Sequence, residues 1–86
     1  MYLHLGQDTV VYDRDILGIF DLDTSTVSKA TRDYLTAAEK EGRVVNVSFE
    51  LPKSFVVCAD KRGGARVYIS PISSSTLKKR MKNLTF

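Results

Sequence analysis

The chain is 86 residues long, enough for one small domain spanning 1–86 and too short for a second core. Hydrophobic residues at 43% and charged residues at 27% are ordinary globular usage, which argues against disorder, and no apolar run has the length of a membrane-spanning helix. The net charge of +3 hides a division: residues 1–50 carry five basic and nine acidic side chains, a balance of −4, whereas residues 51–86 carry eight basic ones against Asp60 alone, a balance of +7.

In chain order, residues 2–5 alternate as a short strand, Gly6-Gln7-Asp8 is a turn cluster, and the β-branched and aromatic run 9–12 completes a first hairpin. Asp13-Arg14-Asp15 breaks the pattern. Residues 16–20 are then apolar at both parities, as in a strand buried on both faces. A polar run over 21–26 leads into a helix capped by Ser25 or Thr26. Val27, Ala30, Thr31, Tyr34, Ala37 and Ala38 mark its inward face, while Lys29, Arg32, Asp33, Thr36 and Lys40 mark the solvated one. Gly42 is the left-handed stop.

Beyond Gly42 the period becomes two. Val45, Val47, Phe49 and Leu51 share one face of a predicted strand, until Pro52 interrupts it for want of a ladder donor. A further strand covers 54–60, with Phe55 and Val57 on one face and Val56 and Cys58 on the other. Lys61-Arg62-Gly63-Gly64-Ala65 is a turn, and residues 66–70 form the last strand. One of Ser73, Ser74 or Ser75 caps a short basic helix over 76–84, and residues 81–86 are candidates for a flexible tail. The expected fold is α+β: a small, mostly antiparallel sheet of about six short strands, one packed helix and a basic C-terminal helix. One helix screens at most one sheet face. The second is therefore expected to close as a barrel or to meet another subunit.

The residues give little support to catalysis. His4 is the only histidine and has no nucleophile motif beside it, and Cys58 reads as a buried, inert thiol. A lone cysteine forms no internal disulfide, suits a reducing cytoplasm and, with one histidine, makes no zinc site. Asp13/Asp15 and Asp21/Asp23 suit turns and caps. No cofactor, small-molecule substrate or membrane partner is expected. The basic residues instead favour a polyanion. In Lys61-Arg62-Gly63-Gly64-Ala65-Arg66 two glycines let backbone N–H groups converge on an anion among three cations, although the same loop serves as a turn whose charges keep a sheet edge soluble. Lys78, Lys79 and Arg80 suit phosphate contacts or the dipole at a helix C-terminus.

The order Leu5-Gly6, Asp13-Arg14, an apolar run over 16–20, a polar turn, one helix ending at Gly42 and then Arg43-Val44-Val45-Asn46-Val47-Ser48-Phe49 resembles the extracellular matrix regulatory protein family, most closely its B-type branch, over about residues 2–80. The resemblance implies a small cytoplasmic bacterial regulator of biofilm-matrix genes. It also implies kinship with A-type relatives that assemble into rings and engage duplex DNA through arginines. The family's arginine after the second strand is matched by Arg14. Its later pair of arginines falls on Leu51 and Pro52, with Lys53 the only nearby cation. The prolines of the A-type turn are replaced by Asp21-Leu22-Asp23-Thr24-Ser25. On this reading the chain is a homo-oligomer, ring-shaped or otherwise, whose basic surface is Arg14, Lys53, Lys61, Arg62 and Arg66, with further phosphate contacts from Lys78, Lys79 and Arg80. The alternative is an adaptor without nucleic-acid contact, in which acidic Asp8, Asp13, Asp15, Asp21 and Asp23 meet the basic part of a neighbouring copy.

Overall fold

A computed structural model describes residues 1–25 and 28–84. The first hairpin pairs β1 (Tyr2–Gly6) with β2 (Thr9–Tyr12) and forms a sheet of its own. A single 3-10 turn, Asp13–Asp15, leads into β3 (Ile16–Asp21). Next come a one-turn helix α1 (Leu22–Ser25), α2 (Lys29–Lys40), β4 (Val44–Asn46), β5 (Ser54–Ala59), β6 (Ala65–Ser70) and α3 (Ser74–Leu84). The four-stranded sheet has the order β3-β5-β6-β4, antiparallel except for the parallel edge pair β4–β6. The α+β expectation, with six strands, holds.

The alternation in β5 divides the core between two layers. Val56 and Cys58 face one way and pack with Ile19, the hairpin residues Leu3, Leu5 and Val11, and Leu77 of α3. Phe55 faces the other way with Val67 of β6 and Ala38 of α2. The fold is thus hairpin and α3, sheet, then α2. Two serine hydroxyls tie the layers: Ser70 Oγ donates to the Leu5 carbonyl at 2.6 Å and Ser54 Oγ to that of Ile72 at 2.7 Å. Neither buried serine lacks a partner, so neither carries the cost of an unmet polar group.

The second sheet face was expected to await a barrel closure or another subunit. The chain's own hairpin and α3 cover it, because a two-stranded ribbon and an eleven-residue helix together span what one helix does not. The open strip lies on the α2 side. With twelve residues α2 reaches only about 18 Å, and it packs over β4 and β6 rather than β3. Leu17, at the register irregularity between Ile16 and Gly18, and Phe20 are therefore left 65% and 41% exposed, so β3 is not buried on both faces.

Three element boundaries also move. The period-two run after Gly42 is a strand only as far as Asn46. Val47 N–H still donates to the Ile69 carbonyl at 3.0 Å, but β6 ends at Ser70 before Pro71, so Phe49 and Leu51 have no partner strand and stand in solvent. The polar run before α2 forms the separate turn α1, and α2 starts after Ser28, whose side chain makes no cap bond. Ser25 is thus the last residue of α1 and does not cap α2, while Thr26 and Val27 lie outside the described residues. The inward stripe of α2 is half-buried Thr31 and Leu35 with buried Ala38, rotated from the expected one, so Ala30, Tyr34 and Ala37 are exposed. Ser73 caps α3, its Oγ accepting the Thr76 N–H at 3.3 Å. The tail expected over 81–86 is helical to Leu84, with Met81 against the core, and its last two residues lie outside the described residues.

Candidate nucleic-acid interface

The antiparallel pairing of β3 with β5 decides which cations meet. Ile16 stands opposite Cys58, so the 3-10 turn carrying Arg14 leaves the sheet at the same end as the β5–β6 turn carrying Lys61 and Arg62. All three are exposed. Lys53 belongs to the other end, where Asp21 faces Ser54. It is exposed, and its backbone is clamped between the Ser70 carbonyl and the Leu22 N–H. Lys78, Lys79 and Arg80 lie on α3, whose inward residues are Leu77 and Met81. Arg80 Nη1 reaches the His4 carbonyl at 3.4 Å, while Lys78 and Lys79, with Ser75, Thr76 and Lys82, line a shallow basic surface.

The glycines of the β5–β6 turn adopt the required geometry, Gly63 at φ 96 and Gly64 at φ 77. Asp60 already takes the turn's N–H groups: its main-chain carbonyl accepts that of Gly63 at 2.9 Å. Its Oδ1 accepts the Arg62 N–H at 3.0 Å and its Oδ2 the Arg66 guanidinium at 3.2 Å. The Arg62 N–H foremost, then Arg66, hold the Asp60 carboxyl below the ordinary carboxylate range. Arg66 is therefore a paired, half-buried cation, whereas Lys61 and the Arg62 side chain project freely.

Arg14 lies between two aspartates and makes no ion pair with either; its guanidinium rests over the Tyr12 ring, 4.7 Å from the centroid. Tyr2 stacks on Tyr12 at 4.5 Å, and the two hydroxyls are 2.7 Å apart. These tyrosines were absent from the sequence-based site. A regular hairpin turning at Gln7-Asp8 would set residue 2 opposite residue 13; the register irregularity between His4 and Gly6 brings Tyr2 opposite Tyr12, and turn spacing alone does not reveal it.

Groups that suggest catalysis elsewhere are engaged structurally. His4 Nε2 bonds the Gln7 carbonyl at 2.6 Å, and Asp21 Oδ1 accepts the Asp23 N–H at 2.8 Å. Burial foremost, then the charge of Asp15, pushes the Cys58 thiol up to about 11, so it is protonated and unreactive near neutral pH. Among the described residues no cluster of acidic, histidine and cysteine side chains could hold a metal ion, and no helix is long and apolar enough to cross a membrane.

A small layered α+β domain with a cation-bearing sheet end is the class defined by this geometry. Residues 2–81 match the family described as RemA-like, extracellular matrix regulatory protein A-like, and the chain belongs to that family. Over 80 residues it is 44% identical to extracellular matrix regulatory protein B of Bacillus subtilis (strain 168), an alignment covering 93% of this chain and 89% of that protein.

Proposed function

We propose that this chain is a non-enzymatic cytoplasmic regulator of extracellular-matrix genes in bacteria, and that it acts as a homo-oligomer contacting the backbone of duplex DNA through basic residues. The observation that carries this reading is the sheet end where Arg14, Lys61 and Arg62 emerge together, none of their side chains in an ion pair among the described residues. Each copy offers a few phosphate contacts, and repetition through an oligomer raises avidity without strong base readout. With contacts confined to the phosphate backbone, preference among sequences would come from DNA shape and bending. Support for self-association is the apolar groove of ≈ 370 Å³ between α2 and β3, lined by Leu17, Phe20, Ala30, Tyr34, Phe55 and Val57.

The test pairs light scattering with a duplex-DNA shift at two salt concentrations. If about six phosphates are neutralised per complex, affinity falls on the order of a thousandfold between about 50 and about 200 mM salt. The charge reversals Arg14→Glu and Lys61→Glu, combined, are expected to abolish the shift at unchanged mass. No retardation at low salt, or a salt-independent signal, refutes the reading.

A second reading has its own observation. Phe49 and Leu51 stand in solvent, fully and 79% exposed, on the loop between β4 and β5. An adaptor that binds a protein and no DNA would use such a loop. Large assemblies with no duplex shift would favour it.

A further inference from the structure

Arg14 has an aspartate on either side in the chain and pairs with neither. Asp13 Oδ1 is occupied by the backbone N–H of Arg14 at 2.8 Å and by the Met1 amino group at 3.3 Å, and neither Asp13 nor Asp15 forms an ion pair with the guanidinium. The guanidinium carbon sits over the Tyr12 ring, 4.7 Å from its centroid, a contact that consumes no N–H donor. The contact leaves the in-plane donors unspent, the geometry a bidentate phosphate contact requires.

The ring beneath is braced in turn. Tyr2 and Tyr12 are directly opposed across the β1–β2 ladder, their planes 30° apart and their hydroxyls hydrogen-bonded. In that pair one hydroxyl donates to the other, and the second keeps a proton to offer outward. The bond to Tyr12 foremost raises the Tyr2 phenol above its ordinary value. The result is a fixed shelf on an exposed corner of the molecule, and an arginine held on it loses less side-chain entropy on binding than one free in water.

We propose that Tyr12, braced by Tyr2, is the positioning residue for a phosphate contact made by Arg14, holding the guanidinium off its two neighbouring carboxylates with its donors turned to the DNA backbone. This rests on the DNA-binding reading above and adds the group that makes Arg14 competent. The readout is binding of a labelled duplex by Tyr12→Leu, Tyr12→Phe, Arg14→Ala and the Arg14→Ala/Tyr12→Leu double variant, each first checked for an unchanged melting profile. Tyr12→Leu should bind about two- to fivefold more weakly, and Tyr12→Phe, which keeps the ring, should stay within about twofold of the parent. In the Arg14→Ala background Tyr12→Leu should change nothing more. An equal loss with or without Arg14, or no loss at all, overturns the proposal. The Arg14 δ-methylene protons provide a test without DNA: in the free protein the Tyr12 ring current should move them upfield, and Tyr12→Leu should abolish the shift. Absence of that shift overturns the proposal even where DNA binds. A shelf seen by NMR in a protein that retards no duplex overturns the phosphate contact through the failure of the DNA-binding reading.

Discussion

Asp60 is the acidic residue that most alters the basic part of the chain. Its carboxylate occupies the turn between β5 and β6 and neutralises Arg66, so Asp60→Asn should keep the acceptor for the Arg62 N–H while releasing the guanidinium. The expected outcome is tighter duplex binding, with a salt slope about one unit steeper, measured by anisotropy across a salt series. An unchanged slope would show that Arg66 does not face the DNA. Acid should act in the same direction. The folded carboxyl titrates below its ordinary 3.8, so its bonds are complete above that value and are lost as pH falls through the lower, folded one. At this scale the residue types were legible from the sequence, including the turn glycines and the inert Cys58. The partners were not, because whether a carboxylate meets Arg14 or Arg66 depends on side-chain directions that spacing leaves open.

Among the elements, α3 carries more of the fold than a basic terminal helix suggests. Leu77 is fully buried against Leu3, Leu5 and the sheet, and it joins the helix to the hairpin layer. Leu77→Ala should cost about 2–5 kcal/mol, lowering Tm on the order of 10 °C or more in a thermal melt. A loss below about 1 kcal/mol would mean that α3 is a dispensable appendage. The spacing Leu77–Met81 on a helix otherwise polar as far as Asn83 carried this information. The strand predicted through Leu51 failed for a different reason. Alternation identifies residues able to form a strand, but β6 ends at Ser70 and offers no ladder beyond Val47. The inward face of α2 was misassigned because Ala30, Ala37 and Tyr34 are as compatible with a rim as with a core, and only the packing of Leu35 against the sheet orients the helix.

Viewed as a whole, the molecule screens both sheet faces with its own chain and leaves one strip open. Gly18 shapes that strip: a Cβ there would stand 2.6 Å from the Phe20 ring, so the bare backbone lets the ring lie against the strand and stack on Phe55 at 4.9 Å. If copies associate through this groove, Leu17→Asp with Phe20→Asp should reduce the mass seen by light scattering to that of one chain. The circular dichroism spectrum should be kept, since both side chains are already partly in solvent. A mass unaffected by the pair would exclude the groove as the contact between copies. Weakened DNA binding accompanying the fall in mass would tie the phosphate contacts to repetition of the subunit.

From the sequence alone came the α+β class, the first hairpin, the β5 alternation that divides the core, the charge division and the family. Each of these is written in local order: periodicity, turn chemistry and composition. Tertiary structure alone decided that the hairpin and α3 close the face thought to need a partner, that the open strip lies beside α2, and that Arg14 rests on a tyrosine while Arg66 is paired with Asp60. Those outcomes depend on which surfaces meet across long sequence separations, where many arrangements bury similar apolar area and only simultaneous packing of the layers selects one.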